Sequence, residues 1–339
     1  MSRYLIFGGT GSLGRRLIQR LLPENEVVVC SRDESKHWTI KNELANHSCI
    51  KSLSFCVGDI RDFDRVRDVI RQSVPQTIIV AAALKHVDTC EYSPGESILT
   101  NLIGTQNVVD AVNELVLSRI NEVLFVSTDK ACAPVNVYGM CKAISERVII
   151  NQASVGHENI KFLCVRYGNV LESRGSIIPL FKHQAENSEV LTVTDPEMTR
   201  FLMTLDNSVD LIQHALRVGT SGETWIPKLH SMKIGDLARI FAEKSGKQVK
   251  IIGLRPGEKK HEDLINESES VRTRAVEGHY VIDSIVKSTS SNPRFTYSSN
   301  DAVMSKEALE THLTQLGIFE MPISKFIGST VEEIMTNRK

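Results

Sequence analysis

Short apolar runs alternate with stretches of helical period through the first half of the chain. Tyr4–Phe7, Glu26–Cys30, Leu53–Val57, Thr77–Val80, Glu122–Val126 and Lys161–Val165 are rich in valine, isoleucine and phenylalanine and too short for helices. Each reads as a strand buried on both faces, the pattern of a parallel sheet. Between them, Arg15–Leu22 and Asn101–Val112 repeat apolar residues three and four apart, as a helix lying on a sheet does. Strand, helix, strand in repetition predicts an α/β fold built on a doubly wound parallel sheet. Past Val170 polarity rises and regularity falls, so residues 1–170 form one expected domain and 171–339 a smaller mixed α/β domain. One segment of the second part, Asp206–Arg217, has helical period with Asp206 as a suitable N-cap, and is expected to pack back on the first domain. Val249–Ile252 reads as a further strand, and the Ser/Asn-rich stretch Ser284–Asn300 as loop.

The junctions between these elements carry the chemistry. After the first strand come Gly8, Gly9, Thr10, Gly11, Ser12, Leu13 and Gly14, a GxxGxxG pattern opening a helix. Gly8 permits the tight turn, Gly11 lets backbone approach a pyrophosphate, and Gly14 lets helix and strand pack closely, which is the Rossmann dinucleotide signature. The helix N-terminus then faces the phosphates. After the second strand an NAD site places a carboxylate on the ribose diol, whereas this chain has Ser31 and Arg32, with Lys36 shortly after. That favours NADP, although Asp33 and Glu34 keep NAD open. Asp59, followed by Ile60, ends the third strand and is placed either to accept from an adenine amino group or to cap the next turn. Ala81 and Ala82 lack bulk and leave room for a cofactor across the strand ends, and Lys85 and His86 are placed to line the mouth. His86 reads as structural or substrate-lining rather than catalytic.

The fifth strand delivers Ser127, Thr128, Asp129 and Lys130 at its C-terminal end, where open α/β sheets bind ligands. Tyr138 and Lys142 follow, four apart in a helical segment and so on one face. A phenol beside an ammonium is an acid/base device. Forty basic against forty-one acidic residues leave a net charge of −1, which excludes a global footprint for nucleic acid or an anionic membrane. The seven cysteines are scattered without a CxxC pair, which suggests neither a disulfide framework nor a zinc site and fits a reducing cytoplasm. No apolar run reaches the roughly 18 residues of a membrane span, so a soluble protein without an anchor is expected.

Phe7–Gly14, Ser31–Glu34, Ala82–Val87, Ser127–Ala131, Tyr138–Lys142, Arg166–Val170 and Arg255–Lys259, in this order, resemble the extended short-chain dehydrogenase/reductase superfamily. Within it they are similar to the polysaccharide-biosynthesis branch of UDP-N-acetylglucosamine 4,6-dehydratases, over nearly the whole chain. The resemblance implies a tightly held and recycled NADP, a UDP-amino sugar substrate and a homodimer or homohexamer. On that basis Tyr138, its phenol pKa lowered by Lys142, takes the 4-hydroxyl proton while Thr128 holds O4. A neutral Lys130 then removes the C5 proton, and Asp129 protonates the departing C6 hydroxyl. Where a configuration-retaining relative has Asp-Glu, this chain has Asp129-Lys130, which favours inversion at C5. Arg200 and Arg255 are expected on the diphosphate, Glu258 on the uridine ribose, Asn169 on the sugar or diphosphate, and Lys182 is a further substrate candidate. The rival readings are a nucleotide-sugar 4-epimerase and a non-catalytic NADP-binding regulator.

Overall fold

The apolar runs become strands because each can bury both faces between helices. β1 (Arg3–Phe7), β2 (Glu26–Ser31), β3 (Leu53–Val57), β4 (Thr77–Val80), β5 (Glu122–Val126) and β6 (Lys161–Val165) pair in the spatial order β6, β5, β4, β1, β2, β3, all parallel. This is the order of a doubly wound sheet, with its crossover between β1 and β4. The computed structural model describes residues 1–115, 119–155, 159–171, 173, 175–284 and 293–323. One face of the sheet packs on helices Phe63–Ser73 and Gly104–Leu115, which contribute Val66, Val69, Ile70, Val108, Val109 and Val112. The other face packs on helices Ser12–Leu21 and Leu205–Val218, through Leu17, Ile18, Leu211, Ile212 and Ala215.

Helix Leu205–Val218 returns the chain to this layer, with a cap other than the Asp206 expected. Thr204 is the N-cap and forms a reciprocal capping box with Asn207. Asp206, two residues on, instead bridges to Arg16 at 2.6 Å and to Arg20 at 3.1 Å on the neighbouring helix. The return also extends further along the chain. Thr224–Pro227 adds a parallel strand beside β6, and the antiparallel hairpin Thr273–Val276 with His279–Ile282 completes a nine-stranded sheet.

The second lobe has its own core, in which Ile178, Phe181, Leu191, Leu237, Phe241, Leu309 and Leu313 meet. Its expected strand is present as Gln248–Ile251, parallel to Val190–Val193. Of the stretch expected as loop, Tyr297–Ser298 pairs with Asp263–Ile265, and 285–292 lie outside the described residues. The helix expected over Asn101–Val112 begins regularly only at Gly104, after a wider π-helical turn over Ile98–Ile103. Asn101 in that turn grips Leu84 from both sides, accepting from its N–H at 2.8 Å and donating to its carbonyl at 2.9 Å. That grip fixes the loop carrying Lys85 and His86. Among the described residues, no helix is long and apolar enough to cross a membrane.

Candidate active site

The C-terminal ends of β1, β2, β4 and β5 open into one cleft of about 590 Å3. Its first wall is the glycine turn. Gly8 has φ +82°, and a Cβ there would stand 2.6 Å from the Ala82 backbone. At Gly14 a Cβ would strike the Gly9 backbone, so this glycine is required by packing. Gly11 is different: a Cβ would meet only the Gly8 carbonyl, at 3.5 Å, so the space it leaves opens toward the cleft. Gly11 is the N-cap of helix Ser12–Leu21, so the N-terminus of that helix borders the cleft, an end that suits an anion. Thr10, Ser12, Leu13, Ile60, Ala81 and Ala82 line the same wall, and the fit is to a dinucleotide diphosphate.

At the end of β2, Ser31 Oγ is 2.6 Å from His37 Nε2. Asp33 caps the next helix by accepting from the Lys36 N–H at 3.1 Å, and its other oxygen pairs with Lys36 Nζ at 3.1 Å. Arg32 is half exposed and reaches Asp59 at 3.6 Å. Asp59 receives the Arg61 guanidinium at 2.7 Å and the Arg61 N–H at 3.0 Å, which is the turn-capping alternative. These contacts hold its carboxyl below the ordinary range against the opposing effect of burial.

The floor is the turn after β5. Asp129 is fully buried, and its Oδ1 accepts from Thr128 Oγ1 at 2.9 Å and from Lys130 Nζ at 3.1 Å. Lys130 Nζ also lies 3.2 Å from Glu262 Oε1. Asp129 Oδ2 and Glu262 Oε2 are buried without a hydrogen-bond partner among the described residues. Gly139 lets helix Val137–Val155 press on this turn, since a Cβ there would strike the Lys130 carbonyl. That contact brings Tyr138 into the cleft beside Thr128.

The electrostatics depart from expectation at three groups. Burial alone would lower the Lys130 pKa, but Asp129 and Glu262 outweigh it and hold the ammonium above its ordinary range. The resting lysine is a cation, not the neutral base expected. Burial pushes the Tyr138 phenol up to about 12, with Lys130 rather than Lys142 as the charge that opposes the rise. Lys142 points elsewhere: it donates to the Val126 carbonyl at 2.7 Å and stands 4.2 Å from the centre of the Phe125 ring. Burial brings its pKa down to about 8.

The expected substrate residues divide. Lys85, His86 and Asn169 line the cleft, and Asn169 Oδ1 is buried without a partner among the described residues. His86 is packed beneath Gly175, and burial lowers its pKa. Lys182 faces away and donates to the carbonyls of Phe319 and Met321 at 2.8 and 2.7 Å, closing the end of the second lobe. Arg200 is spent on carbonyls, donating to Thr199 at 2.7 Å, Lys260 at 3.1 Å and Lys259 at 2.9 Å, so its guanidinium braces the cleft wall rather than waiting for phosphate. Arg255 is exposed, in a turn closed by Glu258 Oε2 accepting from its N–H at 3.2 Å. Glu262, four residues beyond Glu258, is the site residue that sequence reasoning missed.

A family model described as polysaccharide biosynthesis protein matches residues 4–284. A UDP-N-acetylglucosamine 4,6-dehydratase (inverting) of Campylobacter jejuni is 39% identical over 288 residues, 84% of this chain and 83% of that one. A UDP-glucose 4-epimerase of Rickettsia typhi is 39% identical over 287 residues, 82% of each chain. The X-ray structure of Pen from Bacillus thuringiensis superposes with a TM-score of 0.87 at 34% identity, covering 94% of this chain and 98% of that one. With a glycine cradle, a Tyr138/Lys142 helix and a doubly wound sheet already in place, the chain belongs to the polysaccharide-biosynthesis protein family of extended short-chain dehydrogenase/reductases.

Proposed function

We propose that the chain is an NADP-dependent UDP-N-acetylglucosamine 4,6-dehydratase that inverts C5 and makes a UDP-2-acetamido-2,6-dideoxy-4-keto-hexose for glycan assembly. The observation that carries this reading is Lys130, clasped between Asp129 and Glu262 in the cleft that holds Tyr138. Oxidation at C4 requires the phenol and a cofactor. A lysine in a buried carboxylate clasp is apparatus for a second proton transfer, at the neighbouring carbon. The engagement of Asp33 with Lys36 supports NADP, because it withdraws the carboxylate an NAD ribose would need, while Arg32, half exposed in a long pair with Asp59, is placed to turn to a 2′-phosphate.

When bound, a nicotinamide would supply the hydride acceptor for C4 and the hydride donor for C6. The glycine turn and the helix N-terminus at Gly11 hold its diphosphate, and Ala81 and Ala82 give it room. Tyr138 takes the O4 proton once its own has left, while Thr128 orients that oxygen. The resulting C4 carbonyl acidifies C5, and Lys130 takes the C5 proton once its own has left. Asp129, once it has gained a proton, gives it to the C6 hydroxyl, which departs as water, and C5 takes a proton from solvent on the opposite face. Asn169 contacts the sugar or diphosphate, Arg255 the diphosphate and Glu258 the uridine ribose. A soluble homodimer or homohexamer in the cytoplasm completes the proposal.

The Rickettsia typhi relative, equally identical, favours a 4-epimerase as the second reading. An epimerase returns hydride to C4 and has no use for a base at C5. Incubation with UDP-N-acetylglucosamine in deuterated water, followed by NMR, separates the two. A 6-deoxy-4-keto product with deuterium at C5 and inverted configuration is expected. An undeuterated C4 epimer replaces this reading with the second one.

A further inference from the structure

Lys130 touches two carboxylates that are not equivalent. Asp129 Oδ1 already accepts the Thr128 hydroxyl at 2.9 Å as well as the lysine at 3.1 Å, and Asp129 faces the cleft. Glu262 lies behind the lysine, 2% exposed and outside the cleft lining, with Oε1 3.2 Å from Nζ and Oε2 buried without a partner among the described residues. Burial, opposed by the charge of Lys130, moves Glu262 in the direction of the neutral acid.

Resting on the dehydratase reading, we propose that Glu262 is the positioning residue that prepares the base: it takes the proton of Lys130 and leaves a neutral amine facing C5. In that step one Nζ–H bond breaks and one Oε1–H bond forms, and an ion pair becomes an amine and a carboxylic acid with no change in total charge. The amine then takes the C5 proton. The surplus proton leaves to solvent and restores the ammonium–carboxylate pair. Asp129 keeps its own role at the C6 hydroxyl.

Glu262→Gln keeps the shape and the acceptor oxygen but cannot store a proton. With the NADP-loaded holoenzyme and UDP-N-acetylglucosamine, the rise in 340 nm absorbance that reports hydride leaving C4 should keep its wild-type rate in this variant. Deuterium entry at C5 and water loss should slow about 100-fold. Reduced cofactor and the 4-keto, 6-hydroxy sugar should accumulate, with KM within about threefold of wild type. Because the proton of Lys130 must then leave to solvent, the elimination rate should climb about tenfold per pH unit near neutrality where the wild type is flat. Glu262→Asp should recover part of the rate. Elimination at the wild-type rate in Glu262→Gln, or hydride transfer and elimination falling in parallel, overturns the relay alone. A wild-type enzyme that yields no 6-deoxy product overturns the dehydratase reading and the relay with it.

Discussion

Two buried clusters, one at Lys130 and one at Arg166, each set one cation against two carboxylates, and they are finished to different degrees. Arg166 spends every donor: Nε and Nη2 meet Glu146 at 2.9 and 2.5 Å, Nη1 and Nη2 meet Glu269 at 2.9 and 2.7 Å, and Nη1 also meets the Leu264 carbonyl at 2.9 Å. All four carboxylate oxygens are thereby matched, which ties helix Val137–Val155 to the second lobe. The cluster at Lys130 matches one oxygen of each carboxylate and leaves the other buried and unpartnered among the described residues. A guanidinium keeps its proton under all working conditions, whereas an amine can lose one. The completed cluster is architecture, and the incomplete one is held ready for proton transfer.

If that contrast is right, replacing the two cations should fail in different ways. Lys130→Met should lower the rate of 6-deoxy product formation by about 10²–10⁴-fold, the range for loss of a positioned acid or base. Cofactor binding, followed by fluorescence titration, should be kept. Product formed at near the wild-type rate would remove Lys130 as the base. Arg166→Met should instead cost about 3–5 kcal/mol in urea unfolding, because it strands two buried carboxylates. The loss at Lys130 should be smaller, since that side chain borders the open cleft and Glu262 is already inclined to neutrality. Equal stability losses would erase the distinction between the clusters.

What could be read from the sequence was what lies close together along it. The glycine turn, the Thr128–Lys130 turn and the Tyr138/Lys142 pair each fit within a few residues, so their place at one cleft is written in local spacing. The six strands were legible because a buried parallel strand is apolar on both faces. Contacts made across the fold were not legible. Asp206 and Thr204 are both good cap residues, and the choice between them was made by Arg16 and Arg20 on another helix. Lys182 and Arg200 look like phosphate ligands until carbonyls of distant segments claim them. Glu262 carries no local mark at all, because its meaning comes only from lying behind Lys130. Of the two counter-charges that hold Lys130 a cation, Asp129 is its neighbour in the chain, and only Glu262 arrives from a distant segment.

The smallest expected effect tests the contrast through the sign of a pH dependence. Burial raises Glu269, but Arg166 outweighs it and holds the folded-state pKa below the ordinary 4.5. Its contribution to stability is therefore present above pH 4.5 and lost as the pH falls through the folded value. For Glu262 burial prevails over the charge of Lys130, and the folded-state pKa lies above 4.5. The native state then holds a proton that the unfolded chain has released, so stability falls as the pH rises from 4.5 through the folded value. Glu269→Gln should be less stable than wild type at pH 7, with the deficit shrinking on acidification. Glu262→Gln should be more stable than wild type at pH 7, with the gain vanishing near pH 4. Urea unfolding across this range reads both. A stability gain on removing a charge from the active cleft is what a group retained for catalysis leaves behind, and a loss of the same sign as at Glu269 would mean that Glu262 is there to hold the fold.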